Sequence, residues 1–263
     1  MTVYLSLISA SVRTQLAYRR SFVLEVLGRF VITGLELAAV YVLFSHIDSL
    51  AGWSRHEVIY LFGIGSLSLG LSELLTDGLK DMPELVRTGT FDRLLVRPFS
   101  PLLQLMTRRC RLMHLGRIAQ GLLALTLALS VTPHRLGALE VGTLMVSVVA
   151  GALVYGAVFV AGAATTVFTV QSAEAFHAFT YGGLQMSQYP LTAYKTWLQV
   201  LFVAVIPVGF VSYFPALVVL HKPDALGLPG WLPALTPVVA LSFAYLALRY
   251  WRFCVAHYQS TGS

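Results

Sequence analysis

Apolar residues run through this chain in long blocks, separated by short charged stretches and by clusters of Pro and Gly. A helix needs about 20 mostly apolar residues to cross the hydrocarbon core of a bilayer. Six blocks meet that length: Phe22 to Ser45, Glu57 to Thr76, Leu112 to Thr132, Glu140 to Val170, Trp197 to Leu220 and Trp231 to Phe253. The fourth is long enough to tilt or to run past the membrane face. Pro207 lies inside the fifth and Pro215 near its end, which predicts a kink or a locally unwound turn. Tyr189-Pro190 breaks the chain before that block, and Gly227, Pro229, Gly230, Pro233 and Pro237 crowd the turn after it. A short re-entrant element or a rigid turn fits that crowding equally.

Two stretches outside the blocks follow other rules. In residues 2–20, Leu5, Ile8, Val12 and Leu16 recur three and four apart, which puts them on one helical face with Gln15, Arg19 and Arg20 off it. This predicts an amphipathic helix lying in the membrane interface, with a cytoplasmic extension of the first span as the alternative. The longest polar stretch is Asp77 to Gln104, where Asp77, Lys80, Asp81, Glu84, Arg87, Asp92, Arg93 and Arg97 alternate with Leu85, Val86, Phe91, Leu94 and Leu95. Pro83 suits the first turn of a helix and Gly89 its stop, while Arg97-Pro98 with Pro101 ends a second helix, so the pattern predicts two short helices joined by a turn. Its apolar residues have no lipid to enter and its charges are of both signs. That points to a protein partner, the alternative being a self-packed loop that orients the spans.

Composition makes the membrane reading firm. Of 263 residues, 57 % are hydrophobic and 11 % charged, with a mean hydropathy of +0.74. Ordinary soluble domains carry roughly a quarter charged residues, so a soluble protein is excluded. Two cysteines and glycines without a period exclude a disulfide scaffold and a fibre. The fold class is therefore an all-α polytopic membrane protein of six transmembrane helices, one transmembrane domain over residues 1–263. With the N-terminus inside, fourteen Lys and Arg, Lys195 among them, fall on the inner side, against Arg55, Arg135 and Lys222 outside. The positive-inside rule thus makes both termini cytoplasmic. The net charge of +6 is accounted for by topology and anionic lipid headgroups, and no nucleic-acid partner is expected. Cys110 and Cys254 fall at cytoplasmic ends of spans, where thiols stay reduced. The first 21 residues show no signal-peptide cleavage pattern.

The chemistry on offer is sparse. No Gly-rich loop ending in Lys followed by Ser or Thr is present, so any ATP must be handled by another chain, and no cofactor is expected in this one. Neither a His-Glu-x-x-His motif nor a Gly-x-Ser-x-Gly elbow occurs. Glu174 and His177 are three apart, but no matching Glu and His copies complete a metal site, so neither a metal nor a catalytic set is expected. In the first span, Glu25, Arg29 and Glu36 fall within about 40° of one another around the helix. Charges there cost roughly 2.5 to 3.5 kcal/mol each on insertion scales and so face protein or water. Glu25 and Arg29 are spaced to pair, whereas Glu36 is deeper and without a partner on its own helix. Glu36 is a candidate for a substrate path, a partner span or a proton site. Gly63, Ser66 and Gly70 form a groove for close helix approach, as do Ala157, Ala161 and Thr165, and the first set is also a candidate interface.

The order of these parts, with Leu94-Leu95-Val96-Arg97-Pro98, Tyr189-Pro190, the Pro207, Phe210 and Pro215 pattern and the tail from Tyr258 ending in Ser-Thr-Gly-Ser, resembles the permeases of ABC-2-type transporters, the short permeases of bacterial exporters in particular. The resemblance covers essentially the whole chain. It implies a multi-pass permease in the bacterial cytoplasmic membrane, driven by two copies of a separate ATP-binding subunit that binds ATP and Mg, and paired with a second permease, identical or homologous. It assigns residues 2–20 to the connecting helix and Asp77 to Pro98, within the cytoplasmic segment 77–104, to a coupling region docked on the ATPase, with Pro83, Glu84, Leu85, Val86, Arg87, Phe91, Asp92 and Arg93 as its contacts. It names no cargo. A polytopic enzyme acting on a lipid-linked substrate, with Glu73, Asp77 and Asp81 as its acids, and an ATP-independent carrier are the competing classes.

Overall fold

The computed structural model of the chain describes residues 2–132, 136–169, 181–183 and 185–259, the side chains of 2–8 and 10 apart. The described residues are helical and form no sheet, only an isolated bridge between Leu50 and Trp53. In chain order the helices are α1 (Thr2–Ala17), α2 (Arg19–Leu43), α3 (Arg55–Thr76), the short α4 (Met82–Arg87), α5 (Asp92–Leu95) and α6 (Pro101–Arg108), then α7 (Leu115–Val131), α8 (Ala138–Thr165), α9 (Thr196–Val200), α10 (Tyr213–Val219) and α11 (Thr236–Ala256). Among the described residues, five helical segments are long and apolar enough to cross a membrane, those built on α2, α3, α7, α8 and α11. The apolar block at Trp197 to Leu220 forms a pair bent by 76°. Pro207 sits at that break, as its missing N–H and fixed φ require. Pro215 is tolerated in the first turn of α10, where no intrahelical N–H bond is lost.

α3 is the centre of the bundle and is buried along most of its length, with α7 on one side and α8 on another. Small residues set that closeness. A Cβ added at Gly121 of α7 would lie 2.7 Å from the Leu67 nitrogen, and one at Gly63 would lie 2.8 Å from Leu125 Cγ. Without a hydrophobic drive between helices in lipid, such close backbone approach supplies the packing energy. Gly63 and Gly70 therefore serve α7 within this chain, and Ser66 is fully buried too, so the small-residue groove is filled and is not a free interface. α2 and α11, by contrast, leave Leu24, Val31, Leu35, Leu241 and Leu246 exposed on outward faces.

The bent pair does not cross the membrane. Before it, Thr192 Oγ1 donates to the Ala51 carbonyl at 3.4 Å, and after it, Lys222 Nζ donates to the Gly52 carbonyl at 2.8 Å. Both flanks therefore meet the loop between α2 and α3, on the outer face, and the pair is re-entrant. Its turn is enclosed by protein, with Val208, Phe210 and Val211 buried, as a non-helical backbone at membrane depth must be. Before the pair, the described residues 181–183 and 185–192 lead outward, from Tyr181 at Glu73, past Ser187 at Tyr155, to Thr192 at Ala51. This corrects the expectation that Trp197 to Leu220 is a span and that Lys195 is cytoplasmic. Periodicity and length cannot tell a span from a hairpin whose arms together have a span's length. Moving Lys195 outward leaves the positive-inside bias strong, and the orientation stands.

α1 is separate from α2, the helix breaking at Tyr18. Gln15 anchors it: its Oε1 accepts the Leu112 N–H at 2.8 Å, and its Nε2 donates to the Cys110 carbonyl. Leu5 and Ile8 lie outside the described side chains. Burial, and then the Asp77 carboxylate, push the Cys110 thiol upward, which favours its protonated form.

The re-entrant assignment makes a prediction for thiol labelling in intact cells, with Cys110 and Cys254 replaced by Ala. Lys195→Cys is labelled by a membrane-impermeant maleimide added outside, and Arg97→Cys is labelled only after permeabilisation. A Lys195→Cys variant protected until permeabilisation contradicts the assignment.

Candidate functional site

Where α3 reaches its inner end, Glu73 is fully buried and surrounded by cations. Arg29 of α2 grips it through one nitrogen, Nη2 donating to both of its oxygens at 3.0 and 2.9 Å. Arg117 Nε of α7 is at 3.4 Å, Lys80 Nζ at 3.4 Å, and the Tyr181 hydroxyl donates to Oε1 at 2.7 Å. Asp77, one turn on, faces Lys80 at 2.9 Å and Arg111 at 3.4 Å. The His114 ring stands between the two acids, Nδ1 at 3.2 Å from Glu73 and Nε2 at 3.2 Å from Asp77. One carboxylate thereby joins α2, α3, α7, the stretch of chain that starts the cytoplasmic segment and Tyr181 beyond α8.

The expected Glu25–Arg29 pair is not what forms. Glu25 is exposed, and Arg29 turns to Glu73 on the neighbouring helix. A charge in an apolar setting takes the most buried opposite charge within reach, because desolvation strengthens that interaction. Glu36 does acquire a partner, Arg117 Nη1, though at 4.0 Å, and its side chain keeps about a quarter of its surface. Arg117 Nε and Nη1, Gln120 Oε1 and Glu36 Oε2 are all buried without a hydrogen bond. The seam between α2 and α7 thus holds polar atoms without a hydrogen bond, Arg117 reaching Glu73 and Glu36 only at ion-pair distances. Glu174 and His177 lie outside the described residues.

The cytoplasmic segment is bolted to the same end of the bundle. Phe91 is fully buried, edge-on to Trp251 at 6.5 Å and to Tyr258 at 5.1 Å between ring centres. Met82, Leu85, Val86, Leu94 and Leu105 join it in one core with α8 and α11. Burial, with the Asp92 carboxylate beside it, pushes the Tyr258 hydroxyl up to about 12. Asp81 pairs with Arg109 at 2.8 Å, and Gln104 Nε2 donates to the carbonyls of Leu94 and Phe99, tying α6 to α5. Leu85, Val86 and Phe91 therefore do not present an apolar surface to a partner. They meet α11 and the C-terminal tail, whose position over this segment no spacing rule reveals. Pro83 and Asp92 are half-buried, and Glu84, Arg87 and Arg93 are exposed, Glu84 and Arg87 paired to each other at 2.7 Å. The most exposed apolar group of the segment is Val96, 84 % exposed, followed by Phe99 and Leu103 beside Arg93 and Arg97.

A family model described as "ABC-2 family transporter protein" matches residues 30–262. The chain belongs to the ABC-2 transporter family. No curated protein and no solved structure matches it. Its place in the family makes it a permease-type, multi-pass membrane component with a transport role, of a class that works with an ATP-binding subunit. In this ABC-2 permease, the sequence points to Glu73, Asp77 and Asp81 only as possible acids of an enzyme. All three are instead held by Arg or Lys, Glu73 and Asp77 deep in the protein. His114 and Arg117 are members of the network that sequence reasoning misses. The available signal is the crowding of Arg108, Arg109, Arg111, His114 and Arg117 at one span's start, opposite two acids at the preceding span's end.

The packing of the segment predicts opposite outcomes for two neighbouring substitutions. Phe91→Ala lowers the unfolding free energy of the detergent-purified permease by about 3–5 kcal/mol, the range for a buried Phe. Arg87→Ala stays within about 0.5 kcal/mol. Thermal unfolding followed by intrinsic fluorescence measures both.

Proposed function

We propose that this chain is the permease subunit of an ATP-driven exporter in a bacterial inner membrane, working beside a second permease and driven by two copies of a separate ATP-binding subunit. The observation that carries the reading is the cytoplasmic segment. It is fixed to the spans by a packed core and by the Glu73 and Asp77 ion pairs, yet it ends in an exposed apolar and basic tip, Val96, Arg97 and Phe99. A tip that is exposed and rigidly connected is suited to pass a push from outside into α3, α7 and α8. The lack of a P-loop in this sequence supports the same division of labour, with ATP bound by the partner.

Docking on the ATPase is assigned to Val96, Arg97 and Phe99 together with the exposed Glu84, Arg87 and Arg93, with Pro83 and Asp92 at the margin. Leu85, Val86 and Phe91 act behind that surface as its support. Motion of the segment reaches Glu73 first, and through Arg29 and Arg117 it bears on the seam between α2 and α7, where Glu36 retains some exposure. Glu36 is the intramembrane acid best placed to meet polar cargo. This chain supplies no nucleotide-binding chemistry of its own to the cycle.

Gentle purification of a tagged copy from its native cells tests the reading. The wild-type chain brings an ABC ATPase in comparable amount, and the double variant Val96→Asp, Phe99→Asp loses it while keeping the wild-type elution volume and melting temperature. Equal ATPase recovery with the variant overturns the docking assignment. Recovery of the wild-type chain alone, where a control ABC complex survives, overturns the exporter reading.

A further inference from the structure

At the outer ends of α2, α3 and α7 lies a cavity of about 300 Å³ that the transport reading does not use. Its inner part is apolar, lined by Phe44, Ile59, Leu127 and Val131, and its rim carries Asp48, Arg55 and His56. The volume is at the lower end of small-molecule sites, and the division into apolar wall and charged rim matches the depth profile of a lipid at the interface. Two nearby pairs of described residues on this face are already engaged: Lys222 with Glu57 at 2.9 Å, and His221 with Glu140 at 3.2 Å. Arg55 is held by the ring of Tyr41, its guanidinium carbon 5.4 Å from the ring centre, and the His56 Nδ1 is held by the Ser54 hydroxyl at 3.0 Å.

The rim thus offers one guanidinium and one carboxylate over an apolar wall that opens towards lipid along α7, where Leu127 and Val131 are exposed. We propose that this cavity binds a phospholipid of the outer leaflet whose headgroup carries both a phosphate and a primary ammonium, as in phosphatidylethanolamine. Arg55 takes the phosphate, since its fork of donors matches phosphate oxygens. Asp48 takes the ammonium, whose N–H groups donate to a carboxylate. An acyl chain lies along Ile59, Leu127 and Val131. A quaternary ammonium has no N–H to give Asp48, and the aromatic face that would recognise it, Tyr41, is already covered by Arg55. Phosphatidylglycerol carries the same single phosphate but ends in neutral hydroxyls, which give Asp48 a hydrogen bond without an opposite charge. The site is independent of the ATPase partner and of the cargo.

Native mass spectrometry of the purified complex, titrated with phosphatidylethanolamine, phosphatidylcholine and phosphatidylglycerol of identical chains, tests this. The wild-type protein retains phosphatidylethanolamine roughly tenfold better than the other two, the effect of one charge-assisted hydrogen bond. Asp48→Asn abolishes that preference without abolishing binding, and Arg55→Gln weakens all three lipids. Both variants keep the wild-type melting temperature. Soluble glycerophosphoethanolamine at millimolar concentration does not displace the lipid, and displacement would mean that a free phosphate ester, rather than a lipid, is the ligand. Equal retention of the three lipids by the wild type, or unchanged selectivity in Asp48→Asn, overturns the proposal.

Discussion

A carboxylate sealed into the inner half of the central helix organises this permease. Glu73 has no exposed surface, and it is tolerable there only because Arg29, Arg117, Lys80, His114 and Tyr181 converge on it from other parts of the chain. Each of those groups is in turn buried or half-buried and needs the acid to be there. Asp77 extends the arrangement by one turn to Arg111. The network does what lipid-exposed apolar surface cannot do, which is to fix which helices adjoin α3 and in what register. Apolar contacts in a bilayer are nearly interchangeable between protein and lipid, whereas a buried ion pair has few alternatives.

Two further constraints complete the frame. Glycines at the contact of α3 with α7 let the backbones approach closely enough for Arg117 to reach Glu73. On the outer side, Trp53 is buried under Lys222, whose ammonium lies 4.9 Å from the ring centre and pairs with Glu57, and this closes the re-entrant hairpin against the α2–α3 loop. The inner network therefore links the spans to the cytoplasmic segment, while the outer contacts hold the hairpin. The stretch of α2 and α7 between them has polar atoms of Arg117, Gln120 and Glu36 that lack a hydrogen bond. A transport cycle needs such a region, where rearrangement exchanges one set of polar contacts for another.

Much of this is legible in the sequence, and the parts that are not share a physical reason. Apolar blocks bounded by charge mark the five long helices close to their observed ends, and the position of Pro207 marks the break. The charge asymmetry sets the orientation. Periodicity within one helix, however, carries no information about its neighbours. Glu25 and Arg29 have ideal spacing to pair, and the structure prefers Glu73 because it is buried and Glu25 is not. Leu85, Val86 and Phe91 read as a surface since nothing local covers them, and the cover comes from Trp251 and Tyr258, at the far end of the chain. Lys195 falls inside only when an apolar block of span length is counted as a span. In each case the sequence carries the residue types, and the three-dimensional neighbour decides their use.

The central claim, that the Glu73 network is a cooperative tie between spans, is tested most directly by a double-mutant cycle on Arg29→Gln and Glu73→Gln, read by thermal unfolding of the purified permease. The account predicts that each single variant is strongly destabilised, by about 3–5 kcal/mol for Glu73→Gln, because the remaining charges stay buried without their partner. It predicts that the double variant recovers part of that loss, leaving an interaction energy of about 1–3 kcal/mol. Losses that simply add, or a Glu73→Gln variant as stable as the wild type, would contradict it.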